Sequence, residues 1–409
     1  MALPGCKIAE TFASLIWNVA ADTVMGAVGL IRLHRGIRSL QRRIREARMI
    51  AKALKSPNHP ILAHLIPIRR CNLSCAYCNE YDDFSKPVPT VLVQRRVELL
   101  AALGTSVVTL SGGEPLLHPQ LDEIIGCIRR LGMVAELITN GYLLTPERIL
   151  KLNDAGLDHL QISIDNVVPD EVSKKSLNLL DRKLQWLAKY AEFDVNINSV
   201  LGSAIRNPED ALTIARRARE LGFQGTVGLL HDGSGQLRKL DHPQRAAFHA
   251  ISDLPKPFHT AALYKRFYEN LVLGQPNDWH CRAGSRYLYI CEDGFVHYCS
   301  QQRGYPGIRL EEYTRENLER EYHTVKPCAP YCTIPCVQRV AMVDEFRERP
   351  KEALVRFFPA RGDSGQTSCD LPTSMRVLTW LFLPPSQHSW RRHLTSVFTR
   401  VAVSCLRVK

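Results

Sequence analysis

Between residues 61 and 231, short apolar runs and helical patterns alternate six times, and this constrains the fold more than any other feature of the chain. The runs are Leu62–Ile68, Val107–Ser111, Val134–Thr139, Leu160–Asp165, Asp194–Val200 and Thr226–His231. Helical spacing fills the stretches near 91–103, 119–131, 145–155, 174–191 and 207–221. Such alternation predicts an α/β fold with a parallel sheet and helical crossovers. Six units are too few for a closed eight-stranded barrel. In sheets of this type chemistry gathers at the C-terminal ends of the strands, so the residues after each run are the ones to read for function.

The first run leads into Cys71-Asn-Leu-Ser-Cys75-Ala-Tyr77-Cys78, a CxxxCxxC spacing. Three thiolates on one loop can hold three irons of a [4Fe–4S] cluster and leave the fourth iron open to an external ligand. A structural zinc loop is the alternative. Zinc sites usually combine two short Cys pairs, or Cys with His, and no second pair lies beside this loop. The second run ends in Ser111-Gly112-Gly113-Glu114-Pro115, where two glycines let the backbone approach a neighbour closely. Thr139-Asn140-Gly141 after the third run is a turn signal. On the fourth run Ser163 and Asp165 share a face, and on the fifth Asn196, Asn198 and Val200 do. Buried polar residues need partners, and a ligand hydroxyl or protein backbone would serve Asn196 and Asn198. His231-Asp232-Gly233 ends the sixth run, where His231 either faces substrate or is a satisfied surface residue.

CxxxCxxC followed one strand later by Gly-Gly-Glu-Pro resembles the radical S-adenosylmethionine (radical SAM) superfamily. The resemblance covers roughly residues 61–340 and implies a partial (β/α)6 barrel. It implies that Cys71, Cys75 and Cys78 are catalytic, holding a [4Fe–4S] cluster whose open iron chelates the methionine end of SAM. Electron transfer then breaks a C–S bond and makes a 5′-deoxyadenosyl radical. Tyr77 would pack near the adenine, and Gly112, Gly113, Glu114 and Pro115 would meet the methionine amino group. Ser163 and Asp165 would contact the carboxylate or ribose, with Asn196 and Asn198 near a ribose hydroxyl.

A second cysteine group follows. Cys281, twelve residues, Gly294, four residues and Cys299 resemble the opening of SPASM and twitch domains, which carry auxiliary [4Fe–4S] clusters. Tyr287–Ile290 and Phe295–Tyr298 form a plausible hairpin between them. Cys328, Cys332 and Cys336 add a CxxxCxxxC group, of which only the Cys332/Cys336 spacing matches the SPASM ending. The expectation is one twitch-like auxiliary cluster on Cys281, Cys299 and two of Cys328, Cys332 and Cys336. A second cluster using Cys291 and Cys369, or zinc in place of iron, remains open. Cys6, Cys127 and Cys405 read as ordinary residues.

The net charge of +12 belongs to the two ends. Residues 32–55 carry nine Lys/Arg against Glu46, and residues 371–409 carry six Lys/Arg and no acid. The enzyme-like centre is therefore near neutral, which argues against a nucleic-acid channel through it. Residues 11–31 are apolar apart from Asp22, and 32–55 place apolar residues at 33, 37, 40, 44, 47, 51 and 54 between basic ones. A helix lying on an anionic membrane surface, a membrane span and a helix packed on the enzyme body are three open readings. Pro57 and Pro60 end the helix. No secretory signal is evident, and clustered cysteines favour a reducing compartment, so the expected location is the cytoplasm, at most the inner face of the membrane. The last forty residues have no clear period and would be a tail.

The expected organisation is a helical extension over 1–60, the barrel over 61–240, a linker with the auxiliary-cluster domain over 241–345 and a tail over 346–409. The expected function is a radical SAM enzyme, an oxidoreductase or transferase, modifying a C–H bond of a peptide, protein or lipid. An electron donor such as flavodoxin or ferredoxin is the implied partner. A non-enzymatic Fe–S electron-transfer protein and an RNA-modifying radical SAM enzyme are the alternatives.

Overall fold

The computed structural model describes residues 36, 38–202, 204–230, 237, 239–256, 258–350 and 352–353. The chain forms two units, Met1–Glu46 and Ala47–Lys409. In the first, the described residues are helical. The second opens with helical residues 47–55 (α1), which stop before Pro57. Ala47 and Ala51 of the expected apolar stripe are exposed. Alanine buries little area, and α1 instead turns Ala53 and the longer Met49 onto the core. Among the described residues no helix is long and apolar enough to cross a membrane. Residues 11–31, His231–Gly233, Cys6, Cys369, Cys405 and the tail from 354 lie outside them.

All six expected strands form: β1 (Leu62–Ile68), β2 (Val107–Gly112), β3 (Val134–Thr139), β4 (His159–Ser163), β5 (Asp194–Leu201) and β6 (Gln224–Leu229). Between them run α2 (Thr90–Ala102), α3 (Leu121–Arg130), α4 (Pro146–Ala155), α5 (Leu177–Tyr190) and α6 (Glu209–Glu220). Each pair of neighbours from β1 to β6 is parallel. Local signals set the helix ends. Thr145 accepts the Arg148 N–H at 3.1 Å, Pro146 occupies the first turn of α4, and Gly156 closes that helix at φ +85°.

The sheet does not stop at β1. The expected hairpin, β7 (Tyr287–Ile290) and β8 (Phe295–His297), joins it, because β7 pairs in parallel with β1. With β9 (Pro306–Arg309) the order is β6-β5-β4-β3-β2-β1-β7-β8-β9 in one sheet.

Two cores flank the sheet. Leu65, Leu110, Leu137, Leu160 and Ile197 face Val97, Ile128, Ile149, Leu184 and Ile214 of the crossover helices. The opposite face carries Leu62, Ile66, Val107 and Val134 against Tyr287, Phe267 and Phe248. The elements there are α7 (His242–Ser252), α8 (Phe258–Leu263), a π turn at Tyr264–Tyr268 and α9 (Glu269–Val272). α10 (Arg315–His323) and α11 (Pro335–Glu348) follow β9. We call this second face the inner face, and both cysteine groups adjoin it.

Candidate active site

The loop after β1 is closed by its own backbone. Cys71 N–H donates to the Asp82 carbonyl at 2.9 Å, and Asp82 N–H donates to the Arg69 carbonyl at 3.1 Å. Within it, Cys78 N–H reaches the Cys75 carbonyl at 3.0 Å. Cys75 is buried, and Cys71 and Cys78 are half-buried. Leu73 N–H points at Cys71 Sγ from 3.4 Å, and Asn140 Nδ2 lies 3.8 Å from the same sulfur. Burial pushes the Cys78 thiol up to about 11 and raises that of Cys71 as well. Buried thiols of this kind become thiolates only beside a cationic centre. Among the described residues the three sulfurs do not close to the mutual 4.8 Å of a single-ion site.

Gly112, Gly113, Glu114 and Pro115 stand beside this loop, and the structure gives them an architectural task. Gly112 has φ +120°. A Cβ on Gly113 would sit 2.1 Å from the Arg69 carbonyl oxygen and 2.3 Å from that of Arg70. The close approach that needs glycine is therefore to the end of β1. Glu114 is fully buried and accepts from Leu116 N at 2.9 Å, Thr139 Oγ1 at 2.6 Å and Asn140 N at 2.8 Å. It ties the turns after β2 and β3 together.

Tyr77 and Asp165 meet each other. The Tyr77 hydroxyl donates to Asp165 Oδ2, and Lys175 Nζ lies 2.5 Å from the Tyr77 oxygen and 3.1 Å from Asp165 Oδ2. Burial opposes the Lys175 charge, but Asp165 and Tyr77 outweigh it and hold the amine well above the usual lysine range. Ser163, Asn196 and Asn198 face the same side as Gln161 and Thr226. Asn196 Nδ2 donates to Gln161 Oε1 at 3.2 Å and Thr226 Oγ1 at 2.9 Å, and Thr226 donates to Asn198 Oδ1 at 2.8 Å. Ser163 pairs in register with Asn198. Among the described residues the buried Asn196 Oδ1 has no hydrogen-bond partner, leaving an acceptor on this face.

The polar stripe continues across β3, β2 and β1. Thr109 donates to Glu136 Oε2 at 2.7 Å, and Ser111 Oγ lies 3.5 Å from His64 Nδ1. Burial alone pushes His64 down to about 4, so it is a neutral imidazole. Its ring centroid lies 5.3 Å from that of Tyr287. The two-residue alternation within each strand was the signal for these residues. Ser173 and Lys175, in the loop after β4, carry no such signal.

The second cysteine group assembles four sulfurs. Cys332 responds electrostatically to Cys281, Cys299 and Cys328, and Cys299 to Cys281 and Cys328. Trp279 Nε1 donates to the Ala329 carbonyl at 2.7 Å, and Asn277 N–H donates to that of Pro330 at 2.8 Å, fixing the 328–332 loop beside Cys281. Backbone N–H groups point at Cys281, Cys299 and Cys332, the last from Ile334 at 3.4 Å. Burial pushes Cys281 up to about 11 and Cys299 up to about 12. Cys336, at the start of α11, is acted on most by Arg339, Glu136 and Glu80, and it shares Tyr268 as a neighbour with Cys332 and Tyr287 with Cys299. Cys291 groups with Asp293 and His297 within 4.8 Å. His297 Nδ1 accepts the Gly304 N–H at 3.0 Å and Arg303 adds positive charge, so this group is ill suited to a cation.

Residues 65–236 match the radical SAM superfamily. The chain carries a radical SAM domain. It is 34% identical over 178 residues to GTP 3′,8-cyclase of Synechococcus sp. (strain CC9902), covering 38% of this chain and 51% of that protein. It is 39% identical over 117 residues to PqqA peptide cyclase of Gluconobacter oxydans, covering 28% and 32%. With AdoMet-dependent heme synthase of Methanosarcina barkeri it shares 33% over 159 residues, 37% and 45% of the two chains. The chain thus spans about half or less of the curated relatives it matches. Among solved structures, Streptococcus suis SuiB aligns over 70% of this chain and 71% of its own, with TM-score 0.49 and 16% identity.

Radical SAM domains use S-adenosylmethionine and a [4Fe–4S] cluster. The donor set after β1 fits that cluster: three sulfurs on one backbone-closed loop, met by N–H groups. Among the described residues Asn196 Oδ1 and His64 Nε2 on the neighbouring inner face have no hydrogen-bond partner.

Proposed function

We propose that this protein is a radical SAM enzyme that modifies a C–H bond of a peptide or protein. The observation that carries the reading is the position of Cys71, Cys75 and Cys78 at the C-terminal end of β1, beside the polar inner face. When bound, the cluster and SAM would supply a 5′-deoxyadenosyl radical. The protein's own residues bind, orient and exclude water. Tyr77 and Asp165 fix the loop wall, and Gln161, Ser163, Asn196, Asn198 and Thr226 offer hydroxyl and amide groups to a nucleoside. Cys281, Cys299, Cys328 and Cys332 would hold an auxiliary cluster. The 39% identity to a peptide cyclase favours a peptide substrate. Reduction would need a low-potential donor such as flavodoxin or ferredoxin.

Anaerobic reconstitution with iron, sulfide, SAM and dithionite tests the reading. The expected result is 5′-deoxyadenosine from the wild-type protein and none from the Cys71→Ala/Cys75→Ala/Cys78→Ala variant. Equal cleavage in both would sink it. A peptide pool should give products of altered mass. Turnover of a membrane extract alone would move the substrate class to lipid.

A further inference from the structure

Cys75 Sγ lies 3.6 Å from Ser173 Oγ. Ser173 Oγ lies 2.7 Å from Asp165 Oδ2, and Lys175 Nζ is 3.1 Å from that same oxygen. A hydrogen-bonded chain therefore runs from one sulfur of the candidate cluster to an ion pair. The pair is enclosed: its side chains are 13% and 1% exposed for Lys175 and Asp165. The loop that delivers Lys175 folds back for this contact, with Asp165 N–H donating to the Lys175 carbonyl at 2.8 Å. Its other end touches the cysteine loop directly, through Ala76 N–H to the Val172 carbonyl at 2.9 Å.

Enclosing two charges removes both from water, a cost that their attraction must first offset, so stability alone is a weak reason for such a pair. Its placement suggests another. Asp165 Oδ2 accepts from Tyr77 and Ser173 and pairs with Lys175, so it keeps two partners if Ser173 turns away. The Ser173 proton is then free to turn to Cys75 Sγ once that sulfur is a thiolate. Cluster potentials respond to net charge nearby and to hydrogen bonds on the sulfurs. Lys175 acts electrostatically on both Cys75 and Cys78.

We propose that Lys175, Asp165 and Ser173 set the reduction potential of the cluster on Cys71, Cys75 and Cys78, with Lys175 and Ser173 acting as positioning residues. This rests on the reading that those cysteines hold a cluster. One electron from a low-potential donor adds one negative charge to the cluster. The Lys175 ammonium stabilises that charge, the Asp165 carboxylate opposes it, and the Ser173 hydroxyl withdraws density from Cys75.

An EPR-monitored redox titration of reconstituted protein tests this, following the reduced-cluster signal that changes when SAM is added. Lys175→Met leaves the carboxylate uncompensated. At a fixed potential its ratio of reduced to oxidised cluster should fall about tenfold, or about 59 mV for one electron. Asp165→Asn should move the ratio the opposite way, and Lys175→Arg should stay at the wild-type value. A merely structural role predicts shifts of the same sign, or loss of iron, in the Lys175→Met and Asp165→Asn variants, and either result overturns the proposal. If Lys175→Met does not fold, Ser173→Ala decides: a downward shift supports the proposal and an unchanged potential overturns it. Wild-type protein with no SAM-responsive signal would instead refute the reading of the cysteine loop. A wild-type cluster indifferent to these substitutions refutes only the present inference.

Discussion

Arg286 Nε stands 3.1 Å from Asp344 Oδ2, and solvent reaches almost none of either side chain. The remaining guanidinium donors reach the carbonyls of Ala53 at 2.9 Å, Ser56 at 3.0 Å and His59 at 2.7 Å. One side chain thus joins the end of α1, the approach to β1, the start of β7 and helix α11. Removing one partner of such a pair leaves a buried charge and typically costs about 3–5 kcal/mol. Arg286→Met should lower the urea midpoint accordingly, and an unchanged midpoint would show that the junction is dispensable.

Gly113→Ala tests the architectural reading of the Gly-Gly-Glu-Pro turn. Its Cβ would fall on backbone oxygens of Arg69 and Arg70, which cannot rotate away as a side chain could. The strand end carrying Cys71 must then shift. Reconstituted Gly113→Ala should lose about one cluster's worth of iron, roughly four atoms, while the second cysteine group keeps its own. Full iron content would refute that.

Cys332→Ser and Cys336→Ser should differ, although both residues occupy the same four-residue spacing. Cys332 is coupled electrostatically to Cys281, Cys299 and Cys328, whereas the charges acting most on Cys336 are Arg339, Glu136 and Glu80. In a background lacking Cys71, Cys75 and Cys78, the Cys336→Ser protein should retain its iron and the Cys332→Ser protein should not. Equal loss would bring Cys336 into the ligand set.

His59 gives the acid limb of stability a sign. The residue is buried, its Nε2 has no hydrogen-bond partner among the described residues, and burial, then Arg286 and Lys52, push it down to about 3. The unfolded chain binds its proton near the ordinary value of about 6.5. Between those values the unfolded state holds more protons, so stability falls as pH falls, by up to about 1.4 kcal/mol per pH unit. Stability from the neutral ring is fully present above about pH 6.5 and is lost towards pH 3. His59→Leu should flatten the urea midpoint against pH over this range, and a slope equal to wild type would discount the residue.

Sequence alone determined the six parallel strands and their helices, because period-two runs and helical spacing are local properties that each segment carries with it. It also located the cysteine loop and the Gly-Gly-Glu-Pro turn, since ligand spacing on a short loop needs no distant partner. Only the tertiary structure decided that β7 lies beside β1 in one sheet: more than two hundred residues separate the two strands, and nothing local in either names the other. The same holds for Lys175 against Asp165 and for Cys332 beside Cys281. Burial and charge compensation chose those partners, and both arise only when the chain closes on itself.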